Sequence, residues 1–285
     1  MSAQSVTVLT HRRPEELGEA LSLLRRAAGE AGATLRFTQE ESAKHALVAG
    51  AGIELDVPVA PDADLCLVLG GDGTILTALR HYAGTRVPVF AVNYGEVGFL
   101  ATVDPDQIEE GLRCALAGEF DTMALPAIIL RAPDDREWRA INDVSVHRKP
   151  GRRVADLAYA IGPDEVGRVR CDGLVIATPA GSTGYNLANG GPVMAWGVEG
   201  FVVSFVAPHS LTARTLVVAP NDTLKVQNRS RDEPVDVTVD GQIVCELAPG
   251  EALHAHFADN QAVLAQLAGA TFYHRLREKF GRLAS

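Results

Sequence analysis

The most chemically suggestive stretch is LVLGGDGTIL at 67–76, where one carboxylate stands among three glycines. The apolar run before it predicts a buried strand, and a helix is expected to begin at about Thr74. Glycines at such a junction let the backbone approach a phosphate, and the first amides of a helix favour an anion. A carboxylate opposes anion binding unless it binds a metal or accepts a proton from a nucleophile. Asp72 is therefore a candidate for such chemistry.

A purely structural interpretation of this loop is also open. Asp72 can simply cap the helix of a strand–turn–helix elbow. Neither standard phosphate-binding fingerprint is present: GxxxxGK[ST] occurs nowhere, and GxGxxG fails because Leu76 stands at its last position. The loop alone therefore leaves a phosphate cradle and a structural elbow as alternatives.

A second polar segment, TPAGSTGYN at 178–186, combines a proline, two glycines and several hydroxyls before a predicted short helix. This composition suits a polar ligand at a helix N-terminus. The dipeptide Asn142–Asp143 has a structural alternative, an Asx turn that leads into a strand at Val144.

Composition limits the classes of protein to consider. The chain has 285 residues, 47% of them hydrophobic, and its 36 acidic and 26 basic residues give a formal charge of −10. This balance argues against a general nucleic-acid binder. The four cysteines are scattered without a CxxC pair, which indicates free thiols in a reducing compartment rather than a zinc site. Without a secretory signal or a long apolar run, we expect a cytoplasmic protein with no membrane segment.

The first 120 residues alternate apolar runs with helical patterns, which predicts a parallel sheet covered by helices. Strands are predicted at 5–9, 64–69 and 87–92, and helices at 14–30 and 74–82. A further helix is expected to begin after an Asp104 N-cap, with Pro105 at its first position and Gln107 in a capping box, and to end at Gly118.

The sequence from 121 to 269 instead shows short β-rich runs separated by turn signals, which predicts an antiparallel β-sandwich-like domain. The predicted strands are 127–131, 138–147, 155–161, 173–178, 201–206, 215–218, 223–227 and 235–239, and a helix is expected at 184–194. The last fifteen residues, TFYHRLREKFGRLAS, predict a helix with Phe272, Leu276, Phe280 and Leu283 near one face and with its basic residues on a solvated face.

The predicted fold is thus α/β + β. It consists of an N-terminal Rossmann-like parallel α/β domain (1–120), an antiparallel β-sandwich-like domain (121–269), and a C-terminal helix at about 270–285 that docks back on the first domain.

GGDGT at 70–74 resembles the signature shared by NAD kinases, diacylglycerol kinases, sphingosine kinases and, distantly, phosphofructokinases. Four further segments resemble the NAD kinase family alone: VNYGEVGFL (92–100), AINDV (140–144), CDGLVIATPAGSTGYNLANGGPVM (171–194) and PHSLTART (208–215). They stand in the family's order across most of the chain, and TPxGSTxY is a specific pattern. The sequence is identified as a member of the ATP- or polyphosphate-dependent NAD kinase family.

The resemblance implies transfer of a terminal phosphoryl group from ATP or polyphosphate to the 2′-hydroxyl of the adenosine ribose of NAD, giving NADP. Asp72 would be the general base toward that hydroxyl, and Mg²⁺ or another divalent metal would travel on the phosphate donor. The partners implied are small-molecule substrates and further copies of the chain in a homodimer or homotetramer, with no nucleic acid and no membrane. The implied ligand contacts are Gly71, Gly73, Thr74, Phe99, Asn142, Asp143, Arg153, Arg170, Asp172, Thr183, Gly184, Tyr185, Asn186, Ala188 and Gln242.

These implied contacts fall into groups. The glycine-rich loop would cradle phosphates, and Asn142 and Asp143 would hold the acceptor nucleoside. Asp172 would face the nicotinamide end, and the residues of 183–188 would surround the adenosine or its neighbour across a subunit interface. Arg153 and Arg170 would offset pyrophosphate charge. Tyr185 has a packing alternative to base stacking, and Gln242 has a hairpin alternative at 240–241.

The chain departs from the family pattern at a few positions. Asp143 stands where the family usually has Glu, and Gly184 stands where it usually has Ala. Tyr94 and Glu96 are unusual within VNYGEVGFL, and 125–129 lacks a charged residue often found there. None of these changes removes the candidate base or the glycine-rich loop.

Two alternatives to an NAD kinase stay open at this point. The first is a lipid kinase of the diacylglycerol type, which carries the same GGDGT loop but lacks the resemblance of the β-domain. The second is a dinucleotide-binding regulator that has lost catalysis through the departures above. Preferences for ATP or polyphosphate, and for NAD or NADH, are not indicated by the sequence.

Overall fold

The computed structural model describes residues 3–94, 98–269 and 271–281. The chain divides into two compact units, one formed by 1–124 with 262–285 and the other by 125–261. Glu96 and Leu283, which the sequence singled out, lie outside the described residues.

The helices and strands, in chain order, have the following bounds. The helices are α1 (Gly18–Ala31), α2 (Gln39–Lys44), α3 (Asp72–His81), α4 (Ile108–Ala117), α5 (Tyr185–Ala188) and α6 (Phe272–Phe280). The strands are β1 (Ser5–Thr10), β2 (Thr34–Arg36), β3 (Ile53–Glu54), β4 (Leu65–Leu69), β5 (Pro88–Val92), β6 (Asp121–Arg131), β7 (Glu137–Ala140), β8 (Asp143–Arg148), β9 (Ala155–Ile161), β10 (Asp164–Cys171), β11 (Gly173–Ala177), β12 (Phe201–Val206), β13 (Leu216–Val218), β14 (Thr223–Asn228), β15 (Val235–Val239), β16 (Gln242–Leu247) and β17 (Ala252–Gln266).

The first unit is built on a parallel sheet in the order β5-β4-β1-β2-β3. The end of β17 extends it, with Val263 and Leu264 pairing parallel to β5. All five residues of β4 are buried, as expected for a strand covered by helices on both faces. The sheet therefore brings the carboxyl ends of β1, β4 and β5 to one edge, and the glycine-rich loop follows β4 there.

Helix α3 begins at Asp72, two residues before the predicted start. The N–H groups of Thr74 and Ile75 both donate to the carbonyl of Gly71, at 2.9 and 3.1 Å, so the first turn closes on that glycine. Ile75, Ala78 and Leu79 form its buried face. This short connection places Asp72 directly at the end of the strand.

The second unit contains two antiparallel sheets, β10-β9-β14 with the first part of β17, and β13-β12-β11-β8-β15-β16. Strands β6 and β7 form a hairpin. The core takes buried side chains from both sheets, including Leu157, Val226 and Leu253 from one and Val144, Leu174 and Val237 from the other. The predicted α/β + β fold with an antiparallel sandwich-like part is confirmed.

The predicted helix at 184–194 is wrong beyond its first turn. Only Tyr185–Ala188 is α-helical, and a 3₁₀ turn at Gly181–Thr183 precedes it. Gly190 adopts a φ of +74°, and Pro192 has no N–H to continue a helix. The chain therefore leaves the helix after one turn.

The predicted capping box before α4 is also absent. Asp104 precedes a 3₁₀ turn, Pro105–Gln107, and its side chain makes no capping bond. The N–H of Gln107 donates to the backbone carbonyl of Asp104 at 3.0 Å, which closes the tighter turn. The α-helix begins only at Ile108, and it ends at a left-handed Gly118 as predicted.

The C-terminal helix packs within the first unit, as predicted. The ring of Phe99, which follows β5, lies 6.1 Å from the ring of Phe272 and 5.9 Å from that of Phe280. None of the helices in the described ranges is both long and apolar enough to cross a membrane.

Candidate active site

Asp72 is not merely the cap of its own helix. Its Oδ2 accepts the backbone N–H of Phe99 at 2.9 Å, and its Oδ1 accepts that of Leu100 at 3.1 Å. The N-cap position of α3 belongs to Gly71. A Cβ on Gly98 would collide with the Asp72 carboxylate, so the backbone after β5 reaches this carboxylate only because Gly98 has no side chain. The structure thus ties the segment 98–100 to Asp72.

The glycine-rich loop has the form of an anion cradle. Helix α3 has ten residues and begins at the loop, so its dipole and first amides favour negative charge there. Gly73 is exposed, and Gly71 and Thr74 are half-buried. A Cβ on Gly70 would lie 2.7 Å from the Thr74 hydroxyl, which makes this turn too tight for a larger residue. All three predicted cradle residues lie between the end of β4 and the first turn of α3.

Phe99 is differently placed from the ligand contact that the resemblance implied. Its side chain is 3% exposed, and its ring is covered by α6. The ammonium of Lys279 lies 5.2 Å from the ring centroid. What Phe99 offers the site is its backbone N–H, which holds Asp72.

Arg275 on α6 is a charged neighbour of Asp72 that sequence reasoning missed. The sequence placed the basic residues of this helix on a solvated face, but Arg275 is half-buried and its Nε has no hydrogen-bond partner among the described residues. Burial lowers the pKa of Arg275, whereas the carboxylates of Asp72, Glu278 and Asp104 act to raise it. No spacing rule distinguishes this arginine from its exposed neighbours.

In the second unit, the backbone of Asn142 and Asp143 is held by a carboxylate from a distant hairpin. Asp240 accepts the N–H groups of Ile141, Asn142 and Asp143 at 3.0, 2.8 and 3.1 Å. The N–H of Asp240 donates in return to the carbonyl of Asp143 at 2.9 Å. The hairpin alternative for 240–241 is thereby realised, since Asp240 and Gly241 both have positive φ, +47° and +78°. The sequence indicated this turn but not the hydrogen bonds that the backbone of 141–143 donates to Asp240.

The TPAGST segment is attached to the same backbone. Thr178 donates through its N–H to the carbonyl of Asn142 at 2.9 Å and through its hydroxyl to that of Ile141 at 2.6 Å. A Cβ on Gly181 would collide with the Asn142 carbonyl, so this glycine permits the close approach. The Oδ1 of Asn142 is buried and has no hydrogen-bond partner among the described residues. An acceptor thus remains where the two motifs meet.

Asp143 carries an unusual carboxyl group. Burial raises its pKa to about 7, with a further contribution from the charge of Asp240. The group therefore changes its charge near neutral pH, far above the usual range of an aspartate.

The unfolding of the protein should report this group. Unfolded Asp143 has a pKa near 3.9, so between about pH 4 and pH 7 the folded state holds a proton that the unfolded state has lost. The stability that this proton provides is present below pH 4 and is lost as the pH rises to about 7. It amounts to at most about 4 kcal/mol, at about 1.4 kcal/mol per pKa unit. Denaturant titrations should show the unfolding free energy of Asp143→Asn rising relative to the unchanged protein from pH 5 to pH 8. A pH-independent difference would contradict the assignment.

Asp172 and Tyr185 are placed by neighbours that sequence reasoning did not select. The guanidinium of Arg148 contacts both carboxylate oxygens of Asp172, at 2.5 and 3.3 Å, and thereby lowers the pKa of Asp172. The ring of Tyr185 stacks on that of His147, with centroids 5.5 Å apart and an interplanar angle of 24°. Because His147 and Arg148 are adjacent on β8, one strand end positions both predicted contacts. Tyr185 remains 38% exposed, so a face of this cluster is open.

The other predicted residues of 183–188 differ in accessibility. Gly184 and Ala188 are exposed and Thr183 is half-buried. Asn186 is 0% exposed, and its amide donates to the carbonyls of Ser182 and Pro192, both at 2.9 Å. The amide NH₂ of Asn186 therefore holds the loop together, whereas its buried Oδ1 has no hydrogen-bond partner among the described residues.

The remaining three candidates lie on exposed parts of the second unit. Arg153 stands in the turn before β9, and Arg170 stands on β10 between buried Val169 and Cys171. Neither forms an ion pair with the described residues. Gln242 is exposed at the start of β16. Through its pairing with Val239, Gln242 lies next to the turn at Asp240 that binds the backbone of Asn142.

Metal-binding groups are sparse in the described residues. Within 3–94, 98–269 and 271–281, no cluster of three or more His, Cys, Asp or Glu side chains is suited to hold an ion. The four cysteines are free, and all but Cys245 are buried.

A parallel α/β unit with GGDGT at a strand end, together with an antiparallel unit that carries TPxGSTxY, defines a kinase of the GGDGT class. A family model described as the ATP-NAD kinase N-terminal domain matches residues 53–120, and one described as the ATP-NAD kinase C-terminal domain matches 141–267. The NAD kinase of Gemmatimonas aurantiaca is 34% identical over 283 residues, which cover 97% of this chain and 95% of that protein. The chain belongs to the NAD kinase family.

A second relative agrees with this assignment, and two solved structures share the fold. The NAD kinase of Carboxydothermus hydrogenoformans is 36% identical over 220 residues, covering 76% of this chain and 79% of that protein. Yeast NADH kinase, solved in complex with NADH, has a TM-score of 0.86 at 19% identity and covers 100% of this chain and 89% of its own. An NAD kinase from Archaeoglobus fulgidus, solved with ATP, has a TM-score of 0.73 at 23% identity and covers 97% of each chain. At these identities the solved structures bear out the fold.

Proposed function

We propose that this chain phosphorylates NAD at the 2′-hydroxyl of its adenosine ribose, giving NADP, with ATP or polyphosphate as the donor. Membership of the NAD kinase family supports NAD as the acceptor. The observation that carries the chemistry is the placement of one carboxylate, Asp72, at the junction of β4 and a partly exposed helix N-terminus. Phosphoryl transfer needs a proton acceptor, an aligned nucleophile and shielding of phosphate charge. This junction supplies the proton acceptor and the shielding of charge.

Asp72 acts as the general base in this proposal. The ribose hydroxyl donates its hydrogen bond to a carboxylate oxygen. The proton passes to that oxygen as the hydroxyl oxygen bonds to the terminal phosphorus of the donor, and the bond from that phosphorus to the bridging oxygen breaks, which releases ADP or the shortened polyphosphate. Each carboxylate oxygen already accepts one backbone N–H, from Phe99 or Leu100. Because an ionised carboxylate oxygen has two lone pairs, each keeps one for the substrate. The two amides therefore orient the base without consuming it.

The donor phosphates bind at the cradle of Gly71, Gly73 and Thr74, where the helix dipole and exposed backbone favour an anion. Mg²⁺ or another divalent metal, bound to the donor phosphates, reduces their negative charge. The role of the protein there is to hold the donor phosphates at the start of α3.

The dinucleotide binds through the second unit. Asn142 and Asp143 receive the ribose of the acceptor, on a backbone already fixed by Asp240. Asp172 holds the nicotinamide end, and Tyr185 and Thr183 lie along the adenosine. Further proposed contacts are Gly184, Asn186, Ala188, Arg153, Arg170 and Gln242. In this proposal residues 1–120 and the C-terminal helix bind the phosphate donor, and residues 121–269 bind NAD.

Two broader features belong to the same proposal. Cytoplasmic location is supported by four free cysteines, three of them buried. A homodimer or homotetramer formed through the β-domain is supported by the resemblance of that domain to the family.

A coupled assay for NADP tests the proposal. The purified chain should form NADP from NAD in the presence of Mg²⁺ and either ATP or polyphosphate, and the comparison of donors, and of NAD with NADH, fixes its preferences. Phosphorylated diacylglycerol without NADP would instead identify a lipid kinase. Binding of NAD in a titration, without NADP from either donor, would identify a regulator that has lost catalysis.

A further inference from the structure

Phe99 lies between the C-terminal helix and the candidate base. Its backbone N–H donates to Asp72 Oδ2 at 2.9 Å. Its ring, on the other side, contacts Phe272 and Phe280 of α6, with centroid distances of 6.1 and 5.9 Å. Phe99 is 3% exposed, and the two rings of α6 are part of what buries it.

The ring of Phe99 anchors this peptide on the side of α6, and the equally buried Leu100 follows it. The preceding residue, Gly98, has no side chain and cannot acquire one without a collision with Asp72. A glycine restrains the backbone less than any other residue. The position of the Phe99 amide therefore depends on where its own ring is held, and the ring is held by α6.

The same helix also places a positive charge near the carboxylate. Arg275 is half-buried, and Asp72 is foremost among the three carboxylates that act electrostatically on it. Its Nε makes no hydrogen bond within the described ranges. The charges of Asp72, Glu278 and Asp104 offset part of the cost of burying this guanidinium.

We propose that α6 positions the Asp72 carboxylate for proton transfer, acting through Phe99. Phe272 and Phe280 are then positioning residues for the base, although they touch neither the substrate nor the carboxylate. This inference rests on the proposed function, since it assigns α6 a role in the step that Asp72 performs.

The kinetic test removes one of the two α6 rings that contact Phe99. Phe280→Ala should lower kcat about tenfold, because small misplacements of a reacting group cost large factors in rate. The KM values for NAD and for the donor should stay within about twofold, since no ligand contact is removed. Phe280→Tyr, which keeps the ring, should restore kcat. Phe280→Leu should lie between, and it keeps the test valid if the alanine variant folds poorly.

Tyr273→Ala is the matched control. Tyr273 lies on the same helix, is 69% exposed, and its ring touches Phe272 edge-on without contacting Phe99. Its loss removes an aromatic ring from α6 that does not hold Phe99, and should leave kcat unchanged. Unchanged kcat in folded Phe280→Ala, or equal losses in both variants, would overturn the proposal.

A second measurement does not depend on catalysis. Amide hydrogen exchange at Phe99 and Leu100 reports the two bonds to Asp72, and it should accelerate in Phe280→Ala but not in Tyr273→Ala. If the unchanged chain makes no NADP, the proposed function fails, yet accelerated exchange would still establish that α6 holds the carboxylate. If NADP is formed and exchange stays slow in Phe280→Ala, the positioning role fails alone.

Discussion

The Asp72→Asn variant is expected to bind NAD as the unchanged chain does and to lose about three orders of magnitude in kcat. Asparagine has nearly the same size as aspartate but cannot take a proton from the ribose hydroxyl. The residues proposed to bind NAD lie elsewhere in the sequence, so the affinity for NAD should change little. NADP formation under saturating substrates and calorimetric titration with NAD measure the two quantities.

Asp72→Asn removes the base, and it can also disorder the backbone of 98–100. Asp72 accepts two backbone amides, and the asparagine carbonyl can accept only one of them in the same geometry because its NH₂ is a donor. Some loosening of 98–100 is therefore expected as well. Phe280→Ala supplies the comparison, since it is expected to loosen the same segment while Asp72 keeps its carboxylate group.

A base role requires Asp72→Asn to lose far more activity than Phe280→Ala at a similar rate of amide exchange. Asp106→Asn is a suitable control, because Asp106 is exposed on the turn before α4 and forms no bond or ion pair with the described residues. Turnover near that of the unchanged chain in Asp72→Asn would remove Asp72 from the base role.

Local sequence predicted the candidate base because its surroundings are local as well. Strand β4, the glycines and α3 follow one another directly between Leu65 and His81, where an apolar run, a glycine-rich turn and a helical pattern predict a strand, a turn and a helix. The same reasoning predicted the end of α4 at Gly118, where the left-handed conformation favours glycine.

The residues that contact the predicted site residues could not be predicted from local sequence, because they are distant along the chain. Asp240 binds amides about a hundred positions earlier, and no local pattern distinguishes it from the exposed hairpin aspartate at 135. Arg148 and His147 are adjacent on β8 and reach Asp172 and Tyr185 only because antiparallel pairing brings β8 beside β11. Such contacts follow from strand register, which single-sequence patterns do not specify.

Some strands were not predicted because their sequences give weak signals. β2 and β3 have three and two residues, too few for a period to appear. β10 reads DEVGRVRC, and most of its residues are exposed. β17 has fifteen residues, and its middle, from Asp259 to Asn260, is polar and includes a left-handed Asn260. Pairing with neighbours, rather than intrinsic preference, holds such segments extended.

The second large effect is expected from Asp240→Gly. Its carboxylate accepts three backbone N–H groups of 141–143, and removing it leaves donors without partners in a half-buried segment. The free energy of unfolding should fall by about 2–4 kcal/mol, because buried unsatisfied donors cost about 1–3 kcal/mol each and part of the segment can reach water. Glycine is the right replacement because Asp240 has a φ of +47°, which glycine adopts without strain. The loss then reports the carboxylate and not the backbone.

Asp135→Gly provides the matched control. Asp135 also has a positive φ, +64°, and also lies in a hairpin of the second unit, but its carboxylate pairs with Arg131 at the surface. An exposed ion pair contributes at most about 1 kcal/mol, so this variant should be nearly neutral. Urea unfolding of both variants measures the difference. A loss in Asp240→Gly no greater than in Asp135→Gly would contradict a supporting role for Asp240.

The same substitution should weaken NAD binding, because Asn142 and Asp143 would lose the support that sets their backbone. We expect the dissociation constant for NAD to rise at least about tenfold, since misplacement of a supporting group commonly costs one to two orders of magnitude. Its pH dependence should shift as well: the charge of Asp240 contributes to the raised pKa of Asp143, and without it Asp143 should ionise at lower pH. Calorimetric titration with NAD at pH 6 and pH 8 measures both effects. A weaker affinity with an unshifted pH dependence would mean that burial alone sets the charge of Asp143, and that Asp240 acts only through the backbone.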